Sequence, residues 1–236
     1  MSRLIFDIET IGEDFDKLDE TTQESLTRWI KKESNNDKEY REALQELKEG
    51  LGFSPLTGEI VAIGVLNYEK DQGVVYFQAP GKKMEEFEEG KFKYKPMTES
   101  EMLATFWQGA MNFDEFITFN GRAFDVPFLN VRSAVHKIKP TKDLMSNRYM
   151  SNQRFGAAHV DLLDQLSYYG ALRRKGSLHL WSRAFGIQSP KTGGVTGDDV
   201  ADLFKKKKYK EIAVYNGRDL EATKSLYEEW NSYLRL

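Results

Sequence analysis

The chain has 236 residues, of which 40% are hydrophobic and 13% aromatic, enough for one large domain or a domain carrying an insertion. Charged residues reach 30% without a disordered composition, and the absence of cysteine excludes disulfides and thiolate metal sites. A net charge of −3 argues against non-specific coating of nucleic acid, although a local basic rim can still meet phosphates. No stretch is apolar enough to span a bilayer, and the N-terminus enters a strand at once, leaving no room for a signal peptide. The expectation is a cytoplasmic protein without membrane association.

Leu4 to Thr10 reads LIFDIET. Leu4, Ile5, Phe6 and Ile8 make the apolar run of a buried strand, interrupted by Asp7 and Glu9. Residues two apart on a strand share a face, so the two carboxylates converge. Facing into a fold, they need a cation; the run holds no lysine or arginine, and a divalent metal ion would serve. An edge strand with two solvated acids is the other reading, and this stretch alone leaves both open.

Glu13 to Gly50 is dense in charge. Thr21-Thr22-Gln23-Glu24 fits a capping box, followed by Leu26, Trp29 and Ile30 and then by Tyr40, Leu44, Leu47 and Leu51 at helical spacing. Ser34-Asn35-Asn36-Asp37 is the turn between two helices. The segment is either a packed surface hairpin or a flap over a substrate. Gly58–Tyr68 and Gly73–Gln78 form a β-hairpin around Glu69-Lys70-Asp71-Gln72. Pro80–Pro96 reads as a charged loop. Thr98-Glu99-Ser100-Glu101 caps a helix whose apolar face is Met102, Leu103, Phe106, Trp107 and Ala110, leading into a strand at Asp114–Phe119.

The second acidic element is Asn120-Gly121-Arg122-Ala123-Phe124-Asp125. Gly121 permits a tight turn and Pro127 suits the first turn of a helix, so Asp125 sits at a strand-to-helix junction. It reads as an N-cap, a metal ligand, or both. Arg122 is either a phosphate contact or a surface residue. Val160–Tyr169 reads as a helix with Asp161 as its cap, and further helices run over Ser177–Phe185 up to Gly186 and from Asp198 to Lys205–Lys208, with a glycine-rich loop at Lys191–Gly197. The lysine run suits a helix C-terminus or a phosphate backbone. The last helix, from Tyr209, presents Tyr215 and Asp219 four residues apart on one face, although Asn216-Gly217 between them is also a turn signal.

Asp7, Glu9, Asp125 and Asp219, beside Tyr215, are hard oxygen donors that suit Mg²⁺ or Mn²⁺. Two such ions, roughly 3.5–4 Å apart, can stabilise the attacking and leaving oxygens of an in-line phosphoryl displacement.

The ordered set FDIET, FNGRAFD and YNGRD resembles the three exonuclease motifs of the DEDD superfamily, in its tyrosine-bearing (DEDDy) branch. More closely, the chain resembles free-standing 3′–5′ exonucleases related to the proofreading domain of family-B DNA polymerases, with HVDLLD and GVTGDDVADLF included and Glu13–Gly50 less specific. The resemblance implies an α/β, ribonuclease H-like fold: a mixed central sheet flanked by helices, its first three strands antiparallel. The chain would form one exonuclease domain over residues 1–236, with a charged helical insertion at about 13–52 after the first strand.

It also implies roles. Asp7 would bridge two divalent metal ions, Glu9 and Asp219 would hold the nucleophile-side ion, and Asp125 would support the second. Tyr215 would orient the attacking water. Asn120, Phe124, Ile8 and Thr10 would seat the 3′-terminal nucleotide. His136, His159 and His179 match no motif position and read as structural. The implied activity is metal-dependent 3′–5′ hydrolysis of single-stranded nucleic acid, DNA ahead of RNA, with Phe124, Trp181 and Phe155 as stacking candidates. An RNA-trimming exoribonuclease and a catalytically silent binding module are the alternatives; the second would be expected to lack one or more of the acids, and none is missing.

Overall fold

The computed structural model describes residues 1–189 and 194–235, so part of the glycine-rich stretch expected at Lys191–Gly197 lies outside it. The described residues build one seven-stranded sheet in the order β4-β5-β3-β2-β1-β6-β7. The strands are β1 (Arg3–Gly12), β2 (Gly58–Asn67), β3 (Gln72–Phe77), β4 (Phe87–Glu89), β5 (Phe92–Pro96), β6 (Glu115–Thr118) and β7 (Ala158–Asp161). β1, β2 and β3 form an antiparallel meander, whereas β6 runs parallel to β1 and β7 parallel to β6. This is the mixed, ribonuclease H-like α/β sheet that the motifs implied.

The alternation along β1 separates two cores. Leu4, Phe6 and Ile8 pack with Phe106 and Trp107 of α3 (Glu99–Ala110) and with Val126 and Leu129 of α4 (Asp125–Val135). Ile5 points to the other face, against Leu220, Leu226 and Tyr227 of the long helix α8 (Tyr209–Tyr233). Fully burying such side chains stabilises by about 1.5–3 kcal/mol each, so β1 is fixed from both sides. Helices α5 (Leu162–Leu166), α6 (Leu178–Ala184) and α7 (Val200–Lys205) also lie on the α8 side. No helix of the described residues is long and apolar enough to cross a membrane.

Between β1 and β2, α1 (Glu20–Glu33) and α2 (Asp37–Gly50) form the expected helical hairpin. Phe15, Ile30 and Leu51 are buried, but α2 contributes only half-buried residues and Trp29 faces solvent, off the expected stripe. The N-cap of α1 is Asp19, not Thr21: its carboxylate accepts from the Thr22 amide at 3.0 Å and the Thr22 hydroxyl at 2.6 Å. Three further expectations are corrected. Pro80–Pro96 contains β4 and β5, where Phe92 and Tyr94 turn inward at alternate positions. His159 and Val160 belong to strand β7, with the helix beginning only after Asp161. The turn before α7 is capped by Thr196, whose hydroxyl reaches Asp199 at 2.8 Å, rather than by Asp198.

The β1–β2 register slips between Glu9 and Thr10: Glu9 faces Ala62 while Thr10 faces Ile60. A bulge of this kind re-aims the side chains beside it and releases backbone groups. The Ile60 amide donates to the buried Glu99 carboxylate at 2.8 Å, which also takes a bidentate pair from Arg132 (2.8 and 2.7 Å) and the His136 ring at 2.6 Å. Although burial pushes Glu99 up, the Arg132 and Ile60 donors hold its carboxyl below the usual range. Removing one partner of a buried ion pair costs about 3–5 kcal/mol. Glu99→Ala should therefore lower the urea-unfolding free energy by about that amount; a loss under about 1 kcal/mol, the worth of a surface pair, would show that the bulge holds without Glu99.

Candidate functional site

On the α8 side of β1 the apolar alternation ends at Ile5, and Asp7 and Glu9 occupy the next two inward positions. One carboxylate oxygen from each of Asp7, Glu9 and Asp219 lies within 4.8 Å of the others. Glu9 and Asp219 are buried and Asp7 half-buried. Asp219 and the buried Tyr215 come from α8, which stays helical through Asn216-Gly217. Two close contacts explain the interruption. A Cβ on Gly217 would sit 2.8 Å from the Tyr94 hydroxyl, and one on Gly64 of β2 would sit 2.0 Å from Asn216 Oδ1. Glycine at both positions lets α8 lie close on the sheet.

Asn216, fully buried, is a site residue that the sequence reading missed. Its Nδ2 donates to Asp7 Oδ2 at 2.8 Å and to Glu9 Oε1 at 3.5 Å. An amide on the helix face between Tyr215 and Asp219, where packing would favour an apolar group, was the available signal. Asp125 is the first residue of α4, and the residue before it makes no side-chain cap. Its carboxylate instead crosses to β1 and accepts from the Ile8 amide at 3.0 Å. That amide is available because β6 pairs with β1 only over Arg3–Ile5. The N-cap reading of Asp125 is thus replaced by a tertiary contact. The Ile8 side chain points to the opposite core, so only its backbone faces this region.

The turn carrying Asp125 is held by a second acid. Asp161 accepts from the Asn120 and Arg122 amides, both at 2.9 Å, and from the Leu163 amide at 3.0 Å. Asn120 itself adopts φ +65°, the left-handed conformation that asparagine tolerates. A Cβ on Gly121 would meet Thr118 Oγ1 at 2.3 Å. His159 is pushed down to about 4 by burial and is neutral; with Nδ1–H directed to the Leu144 carbonyl (3.1 Å), Nε2 accepts from the Thr118 hydroxyl (2.8 Å). Arg122 donates to the Leu144 and Met145 carbonyls at 3.1 and 3.4 Å, which makes it a tether. His136 meets Glu99 and His179 meets Ser189, so all three histidines have partners outside the carboxylate group. Thr10 donates to the Gly52 carbonyl at 2.7 Å, and Phe124 contacts Phe53 and Phe128. Phe155 is exposed, while Trp181 packs in part against Phe185.

The electrostatics are those of crowded anions. Burial, then Asp125, Glu9 and Asp219 raise Asp7; burial, then Asp219 raise Glu9, against the Asn216 amide. Burial pushes Asp125 up to about 7, opposed by the Ile8 amide and assisted by Asp161 and Asp219. Tyr215 is driven up by burial and then by Glu9, Asp219 and Asp7, so the phenol stays protonated at neutral pH. Among the described residues neither Asp7 nor Glu9 has an ion-pair partner. The donor set is all oxygen, and oxygens bound to one ion at about 2.0–2.6 Å lie at most about 4–5 Å from one another. The residues therefore fit a hard divalent cation.

These shifts have a sign. An unfolded Asp125 releases its proton near 3.8 and the folded one near 7. Between those values the folded state binds the extra proton, so metal-free stability falls as pH rises through that window. In urea unfolding from pH 5 to 7.5, Asp125→Asn, which keeps an oxygen for the Ile8 amide, should flatten the fall. Parallel curves for the two proteins would exclude Asp125 as its source.

The family described as predicted 3′–5′ exonucleases related to the exonuclease domain of PolB matches residues 57–233, about three quarters of the chain. The match begins after the hairpin insertion, leaving β1 outside it. No curated protein matches. Among solved structures the chain is similar to the family B DNA polymerase from the hyperthermophilic archaeon Pyrobaculum calidifontis, with a TM-score of 0.57 and 16% identity. That similarity covers 98% of this chain but 24% of the polymerase, and it bears on the fold alone. On the family match, the chain belongs to the family of predicted 3′–5′ exonucleases related to the exonuclease domain of PolB.

Proposed function

We propose that this chain is a DEDDy-type 3′–5′ exonuclease. It acts as a single domain over residues 1–236 and removes nucleotides from the 3′ end of single-stranded nucleic acid, DNA in preference to RNA. The observation that carries the reading is the meeting of Asp7, Glu9 and Asp219 from two distant elements, with Tyr215 one helical turn from Asp219. Asp7, Glu9, Asp125 and Asp219 would hold two divalent ions, Mg²⁺ or Mn²⁺. When bound, these supply positive charge against the phosphate and acidify water at neutral pH.

The chain's own residues do the rest. Asp7 meets Glu9 and Asp219 and precedes Ile8, whose amide donates to Asp125, a placement that supports Asp7 as the ligand shared between two subsites. The Asn216 amide donates to Asp7 and Glu9, fixing which carboxylate oxygens remain for ligands. Tyr215 is held protonated, so it acts as a hydrogen-bond donor that orients the attacking water rather than as a base. Asn120, Phe124, Thr10 and the Ile8 backbone would position the terminal nucleotide.

The test is hydrolysis of 5′-labelled single strands, DNA and RNA in parallel, with Mg²⁺, Mn²⁺ or EDTA. Expected is a ladder shortening from the 3′ end, abolished by EDTA and by Asp7→Ala and faster on DNA. Tyr215→Phe should slow turnover about 100-fold with metal affinity unchanged. Full activity of Tyr215→Phe would remove the phenol from the mechanism. Binding of the strand without cleavage in either metal would favour a silent module.

A further inference from the structure

The two ends of the helical insertion close on each other at the far end of β1. A Cβ on Gly12 would lie 2.6 Å from Leu51 Cβ, and one on Gly52 would lie 2.9 Å from the Gly12 nitrogen. Thr10 Oγ1 donates to the Gly52 carbonyl at 2.7 Å, Thr57 Oγ1 to the Leu51 carbonyl at 2.8 Å, and the Glu13 amide to the Thr57 carbonyl at 2.8 Å. Leu51 and Thr57 are both buried. The corner between them is tied to the strand that carries Asp7 and Glu9.

Two apolar side chains nevertheless point out of this fixed corner: Phe53 is 65% exposed and Leu56 is 79% exposed. The Phe53 ring meets Phe124 edge to face, with centroids 6.5 Å apart at 62°. Phe124 in turn contacts Phe128 at 5.4 Å, and the next residue along the chain is Asp125. An aromatic ring left in solvent, on a corner tied by hydrogen bonds and in contact with the residue that precedes Asp125, is a pre-organised stacking surface.

We propose that Phe53 is a substrate-binding residue that stacks on a base at the 3′ end of the single strand, with Phe124 fixing the edge of the Phe53 ring. The proposal rests on the exonuclease reading above and adds a role for the corner that closes the insertion, which would supply part of the substrate surface. Every base has a π-face, so such a contact is sequence-tolerant and contributes to strand binding rather than to the chemical step.

The experiment measures KM and kcat for 3′ trimming by the full chain, on a normal single strand and on one whose 3′-terminal nucleotides are abasic. Phe53→Ala should raise KM about tenfold on the normal strand, leave kcat within about twofold, and leave the melting temperature unchanged. Phe53→Trp should restore KM and Phe53→Leu should not. On the abasic strand the wild-type and Phe53→Ala proteins should have equal KM. A Phe53→Ala KM within about twofold of wild type on the normal strand, or an equal penalty on both strands, would overturn the role of Phe53 while the exonuclease reading stands. Failure of the wild-type protein to trim either strand would overturn both.

Discussion

Holding Asp7, Glu9 and Asp219 within 4.8 Å of one another inside the fold is unfavourable for the protein alone. Burial raises each of Asp7 and Glu9 before any neighbour contributes, and every neighbouring carboxylate raises them further. The packing of α8 across β1 and β2 enforces the arrangement. Leu220, Leu226 and Tyr227 are fully buried beneath the sheet, and Gly64 and Gly217 remove the two Cβ atoms that would lift the helix off it. The apolar burial along the rest of α8 offsets the repulsion at one turn, and strain of this kind is characteristic of functional sites.

Asp125 extends the same logic from the other core. It reaches β1 between Asp7 and Glu9 because β6 leaves β1 after Ile5, and the vacated Ile8 amide holds its carboxylate in a fixed position. Behind it, Asp161 gathers the amides of Asn120 and Arg122, and Thr118 links Gly121 to His159. A buried network with each member satisfied is rigid, since moving one group leaves another unpaired in low dielectric. The acids of β1 are thus positioned by β-sheet pairing, Asp219 by a helix, and Asp125 by a hydrogen-bonded turn.

The parts legible in the sequence were those governed by local periodicity. The period of two put Asp7 and Glu9 on one face, and the spacing of four put Tyr215 with Asp219; both hold without knowledge of the rest of the chain. What stayed hidden depends on partners far away in sequence. Asn216 looked like half of a turn because its tolerance in a helix rests on Gly64, over a hundred positions earlier. Asp125 looked like a cap because its true partner, the Ile8 amide, is free only after β6 has diverged. Strands β4 and β7 have three and four residues, too short for alternation to register, whereas Phe92 and Tyr94 in β5 carried a period of two that the surrounding charges obscured.

The family match starts at residue 57, yet β1 is an interior strand of the sheet, between β2 and β6, and carries two of the acids. The helical insertion separates them in sequence but not in space. Its ends are brought together by the Gly12–Gly52 approach and the Thr10 and Thr57 hydrogen bonds, so β1 meets β2 as though joined by a short turn. Loop-closure entropy grows only with the logarithm of loop length, so a long excursion between paired strands costs little once its ends are tied. The bulge at Glu9/Thr10 falls just before this junction, with Glu99 taking the amide it releases. The same tie that lets the insertion exist therefore fixes the end of the strand on which the carboxylates sit.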